Sequence, residues 1–263
     1  SKSPRRTDGY CTKIMKTRVS IINYSNTIPF TYGLLNSKNL HDLADFSYGY
    51  PAQVADMLCQ NQVDMSIISV GAIPTIPNAQ IVTNYCISAT QKVDSVLVCS
   101  NKPLDEVATI TLDYQSRTTN ILVQILARYA WNISPRFVMG AQGYETADDG
   151  SAKVIIGDRA LNNASNFLYV YDLANEWYKA FHLPFVFAAW VANKKLSDVF
   201  VNEFEAACKF GVENIEDAIA FINKSFSFDI RDYLHNSVEY ELSDEKRTSM
   251  ELYFEKARAM KIL

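Results

Sequence analysis

Two short polar segments carry residue types at spacings that could hold an anionic small molecule. In DYQSRTT, residues 113–119, Ser116, Thr118 and Thr119 stand where a strongly patterned helix begins. The first amides of a helix have no intrahelical acceptor, and the helix dipole favours negative charge there by roughly 0.3–1 kcal/mol even when exposed. Arg117 could add a charge-assisted fork to a carboxylate. SNTIP, residues 25–29, has the same grammar, with Asn26 or Thr27 able to cap the free amides and Pro29 in the first turn. Two such helix starts facing one cleft would suit a ligand with two negative groups. Ordinary capping, with Arg117 in solvent, accounts for the same residues. Gly157 and Asp158 follow a buried apolar run. A carboxylate there either lines a cleft or caps the next helix.

Other chemistries lack their residues. His41, His182 and His235 are far apart and show no metal-ligand spacing, which predicts surface histidines and no metal site. The sequence contains no GxGxxG, GxxxxGK[ST] or GxSxG, the usual signatures of dinucleotide, nucleotide-phosphate and serine-hydrolase sites. Five cysteines at wide spacing, without a CxxC pair, fit reduced thiols in a cytoplasm.

The elements that must position these residues alternate. RVSIINY (18–24) reads as a buried strand ending in a polar loop, followed by a short helix carrying Phe30, Leu34 and Leu35. Residues 46–48 are extended, Pro51 opens a helix with Val54, Met57 and Leu58, and DMSIISV (64–70) is a further buried strand. Strands follow at 81–88, 95–100, 108–112 and 154–156, and a helix at 118–131 bears an apolar stripe of Ile121, Leu122, Ile125, Leu126 and Tyr129. From residue 197 the spacing is helical. Alternation of this kind predicts α/β architecture. We expect two lobes, residues 18–92 plus 193–263 and residues 93–192, with a cleft between them. Extended crossings are expected near 90–100 and 183–192.

The chain has 263 residues, 48% hydrophobic and 21% charged, enough for a large core. Its net charge of −4 gives no field for a polyanion, so nucleic acid is not an expected partner. Residues 183–192, the longest nearly unbroken apolar run, are about half the ~20 residues a bilayer span needs, and no membrane association is expected. Residues 1–14 are polar and basic without a secretory apolar stretch, and read as an extension before Met15.

Five stretches occur in one order: VSIINYSNTIPF (19–30), SVLVCS (95–100), TLDYQSRTT (111–119), IIGDRAL (155–161) and LPFVFAAW (183–190). On these the chain resembles the chorismate dehydratases of the futalosine route to menaquinone, over residues 18–260. The resemblance implies a type II periplasmic-binding-protein fold of two α/β lobes. It also implies a cytoplasmic lyase, monomeric or homodimeric, that converts chorismate to 3-[(1-carboxyvinyl)oxy]benzoate and water with neither metal nor organic cofactor. By motif, Asn26 and Ser95 stand nearest the reacting ring, and Thr27, Ser69, Ser116, Arg117, Thr118, Thr119 and Asp158 hold the substrate. Ser69, in ISVGAIP, takes the place of a proline common in that family. Neither Asn26 nor Ser95 is a strong base at neutral pH. The expectation is therefore that the substrate's own enolpyruvyl carboxylate takes the proton while both residues orient it. Two other functions share the fold. A solute-binding protein for a small anion would require export. The sister dihydroxynaphthoate synthase opens with a Ser-Pro-Cys-Pro-like strand end, where this chain has Tyr24-Ser25-Asn26-Thr27.

Overall fold

The computed structural model describes residues 15–263; Cys11 and the expected extension at 1–14 lie outside the described residues. The chain opens with β1 (Thr17–Ile22), α1 (Ile28–Asn36), α2 (Lys38–Leu43), β2 (Ala44–Gly49), α3 (Pro51–Cys59), β3 (Met65–Ser69) and β4 (Gln80–Ala89). A second group follows: β5 (Val96–Ser100), β6 (Thr109–Leu112), α4 (Arg117–Leu126), β7 (Arg136–Met139), β8 (Ala152–Ile156), α5 (Gly157–Asn163), β9 (Tyr169–Asp172) and α6 (Leu173–Phe181). The chain then returns through β10 (Phe185–Ala192) to α7 (Asp198–Glu213), α8 (Ile215–Ile222), α9 (Ile230–Asp232), β11 (Glu239–Glu241) and α10 (Asp244–Ala259).

Two sheets result, in the orders β11-β4-β10-β3-β1-β2 and β7-β6-β8-β5-β9. β1 pairs in parallel with β2 and β3, as β6 does with β7 and β8, while β10 runs antiparallel between β3 and β4. A strand with neighbours on both edges and covered faces must be apolar throughout. That explains FVFAAWVA, in which only Ala188 falls short of full burial. This pairing corrects the expected lobe boundary. Residues 185–192 belong to the larger sheet, so the second lobe ends before β10 and the return crossing is the short stretch 182–184.

The apolar stripe of α4 is buried through Leu126, but Tyr129 is 38% exposed, against expectation. The helix widens into a π turn over Ala127–Trp131. The extra residue per turn rotates the pattern, and Tyr129 instead lies under Lys256, whose Nζ is 4.1 Å from the ring centroid. The three histidines are exposed, as their spacing suggested. Cys86 and Cys99 are buried, which pushes their thiols up to about 11 and about 12 and makes them packing residues. Among the described residues no helix is long and apolar enough to cross a membrane.

Candidate functional site between the lobes

The C-terminal ends of β1 and β3 in the larger sheet face the starts of α4 and α5 in the smaller one. Between them lies a partly enclosed cavity, about 710 Å³ of empty space when its open mouth is counted. Apolar side chains including Ile67, Ile87 and Phe187 form much of its wall, and Asn26, Thr27, Ser69, Ser95, Ser116, Thr118 and Thr119 supply most of the polar part, with Tyr24 and Gln115 beside them.

After β1 the chain turns tightly through Ser25–Thr27 into α1. The Thr27 hydroxyl donates to the Ile22 carbonyl at 2.6 Å and accepts the Tyr24 amide at 3.2 Å, so it fixes the loop. Neither Asn26 nor Thr27 caps α1 with its side chain, as the sequence had suggested, because the turn runs directly into the helix. Asn26 is left facing the cavity, with its backbone carbonyl held by the Tyr240 hydroxyl at 3.0 Å. Its Oδ1 is buried and has no hydrogen-bond partner among the described residues. An unpaired buried amide oxygen costs roughly 1–3 kcal/mol, which a ligand donor would recover.

Ser95 lies on the crossing from β4 to β5 and is 2% exposed. Its carbonyl accepts the Gly157 amide at 2.7 Å, and its Oγ accepts the Tyr233 hydroxyl at 2.8 Å. Gly157 has φ +62°, a conformation that favours glycine, at the point where β8 turns into α5.

At the other helix start Ser116 caps α4, accepting the Thr119 amide at 3.2 Å and donating to Thr119 Oγ1 at 2.8 Å. Thr118 reaches across the cleft. Its hydroxyl hydrogen-bonds Ser69 Oγ and accepts the Gly71 amide at 2.8 Å, while its carbonyl accepts the Tyr253 hydroxyl at 3.1 Å. A Cβ on Gly71 would lie 3.0 Å from Thr118 N and Cα, so the absence of a side chain permits this approach. Two expected contacts are not on the wall. Arg117 opens the helix one position before the inward-facing Thr118 and Thr119, and 100° per residue turns it outward, where it is exposed. Asp158, in the first turn of α5, also lies off the lining.

Burial and then the Asp113 charge push the Tyr24 phenol up, and Asp158 adds to that while Arg159 opposes it. Arg159, in the same IIGDRAL stretch, is the cation by the cleft that the sequence reading passed over. Its guanidinium binds Asp113 at 2.6 Å, Glu145 at 3.1 Å and the cleft residue Gln115 at 3.2 Å. Tyr233 was missed as well, having no motif or apolar period to mark it.

Comparison with known proteins gives this arrangement a family. The profile described as menaquinone biosynthesis matches residues 17–259. The chain belongs to that family. A chorismate dehydratase of Thermus thermophilus is 23% identical over 193 residues, which cover 64% of this chain and 71% of that protein. In fold the family member described here is periplasmic-binding-protein-like. The alkanesulfonate-binding protein SsuA of Xanthomonas axonopodis pv. citri, bound to MOPS, superposes with TM-score 0.66 at 13% identity over 94% of each chain. A protein of Archaeoglobus fulgidus does so with TM-score 0.69 at 13% identity over 94% of this chain and 98% of that one.

Proposed function

We propose that the protein dehydrates chorismate to 3-[(1-carboxyvinyl)oxy]benzoate in the cytoplasm, as a lyase of menaquinone biosynthesis. The observation that carries this reading is the pairing of Asn26 and Ser95 on a small cavity whose described lining contains no carboxylate and no imidazole. Such a wall can orient a substrate and stabilise charge, but it offers no general base at neutral pH. Its one phenol, Tyr24, is pushed further up by burial.

Chorismate suits this division of labour. The ring carbon bearing the enolpyruvyl ether gives its proton to the enolpyruvyl carboxylate. The electron pair left behind enters the ring π system as the C–O bond to the neighbouring hydroxyl breaks, and the hydroxyl takes the proton from the new carboxylic acid and leaves as water. The product is aromatic, so a substrate carboxylate held in position suffices as base. Ser95 donates a hydrogen bond to the leaving oxygen or to charge developing beside it, and Asn26 fixes the group opposite. The helix starts at Thr27 and at Thr118–Thr119 both border the cavity, which suits a ligand with two carboxylates. Purified protein mixed with chorismate tests the reading: mass spectrometry should find a product lighter by one water. Tight binding with chorismate recovered intact would contradict it and favour a binding protein.

A further inference from the structure

The turn after α9, residues Tyr233–Ser237, is a π turn, a geometry that recurs at functional sites. Its first and last side chains both reach the crossing segment between the lobes. The Tyr233 hydroxyl donates to Ser95 Oγ at 2.8 Å, and the Ser237 hydroxyl donates to the Asp94 carboxylate next door. The crossing is pinned from the second lobe too, since Asp172 accepts the Val93 amide at 2.9 Å and the Asp94 amide at 2.8 Å. Ser95 therefore stands on a backbone fixed from both sides. What remains to be fixed is its hydroxyl rotor.

We propose that Tyr233 is the positioning residue that sets the direction of the Ser95 hydroxyl in the dehydration reaction. Tyr233 is 3% exposed, and its phenol has one proton to give. Burial raises that phenol, so the proton stays and points at Ser95 Oγ. With a lone pair of Oγ occupied by Tyr233, the Ser95 proton has the cavity to turn to. On the same cavity wall Asn26 keeps its Oδ1 unpaired. The cavity thus offers the ligand two complementary groups, a donor on Ser95 set by Tyr233 and an acceptor on Asn26. A hydroxyl leaving group beside an anionic acceptor needs such a pair.

The inference rests on the chorismate reading, and its test separates the two. Tyr233→Phe removes one oxygen and keeps the ring. With chorismate, Y233F should lower kcat roughly ten- to hundredfold with KM changed by less than about threefold. The double variant Y233F/S95A should be no slower than S95A alone, because Tyr233 acts through Ser95. Multiplying effects, or an unchanged kcat in Y233F, would overturn the proposal, as would a KM effect without a kcat effect. The crystal structure of Y233F gives a readout independent of turnover: Ser95 Oγ should leave its wild-type rotamer or occupy several. If wild-type protein leaves chorismate intact, the functional reading falls. A Ser95 hydroxyl held unchanged in Y233F overturns the role of Tyr233 whatever the activity.

Discussion

The Gly71 amide donates to Thr118 Oγ1 across 2.8 Å, joining the loop after β3 in one lobe to the first turn of α4 in the other. Ser69 shares that hydroxyl and Tyr253 holds the adjoining carbonyl, so the cleft is latched beside the cavity. Thr118→Ala leaves the buried Gly71 amide without its acceptor and should weaken chorismate binding by about 1–3 kcal/mol in calorimetry. Thr118→Ser keeps the hydroxyl and should bind within about threefold of wild type. Equal affinities for all three proteins would leave Thr118 no part in holding the ligand.

Asn26 and Ser95 each place a polar atom on the cavity wall. Asn26→Ala or Ser95→Ala should cut kcat by about 10- to 1000-fold while cooperative melting survives, since each removes one positioned hydrogen bond. Loss of cooperative melting in either variant would show that the residue supports the fold instead.

A substrate analogue without the enolpyruvyl carboxylate discriminates between proton acceptors. Held by one anion site instead of two and lacking the base, it should bind more weakly and fail to lose water even at saturation. Turnover of that analogue at the rate of chorismate would move the proton to the protein, and Tyr24 and Asp158 would be the residues to replace.

Away from the site, Asp64 binds Arg18 at 2.7 Å and Lys194 at 2.6 Å, tying β1, β3 and the end of β10 together. Burial alone would raise its carboxyl, but the hydrogen bonds from Arg18 and Lys194 outweigh it and hold the group down from 3.8 to about 2. A depressed carboxylate stabilises the fold above its unfolded value and loses that contribution as pH falls through the folded one. Asp64→Asn should therefore cost about 1–2 kcal/mol at pH 7, softened by the exposed ends of both cations. The gap to wild type should close between pH 3.8 and about 2 in denaturant melts. A gap independent of pH would refute the ion-pair origin.

Part of the cavity lining was legible because it is local. Strand ends followed by Ser, Thr and Asn announce where a parallel sheet opens, and residues 25–29 and 116–119 both reach the cavity. What escaped was set by distance and phase. Arg117 belongs to the right motif but to the wrong side of a helix, which a list of residue types does not register. Tyr129 needed the π turn at Ala127–Trp131, which alters the repeat that its assignment assumed. β10 read as a crossing because an apolar run shows burial without naming its neighbours, and only its pairing with β3 and β4 assigns it to the larger sheet. Tyr233 comes to Ser95 from 138 residues away, through the packing of the C-terminal segment on the crossing, and no local pattern encodes that.

The most direct measurement is a proton NMR time course of chorismate with the purified wild-type protein and with S95A. The account predicts that the ring diene signals of chorismate give way to an aromatic set, that the vinyl protons of the enolpyruvyl group persist, and that S95A slows the change at least about tenfold. Chorismate signals that broaden on binding but never convert, or equal rates for the two proteins, would contradict it.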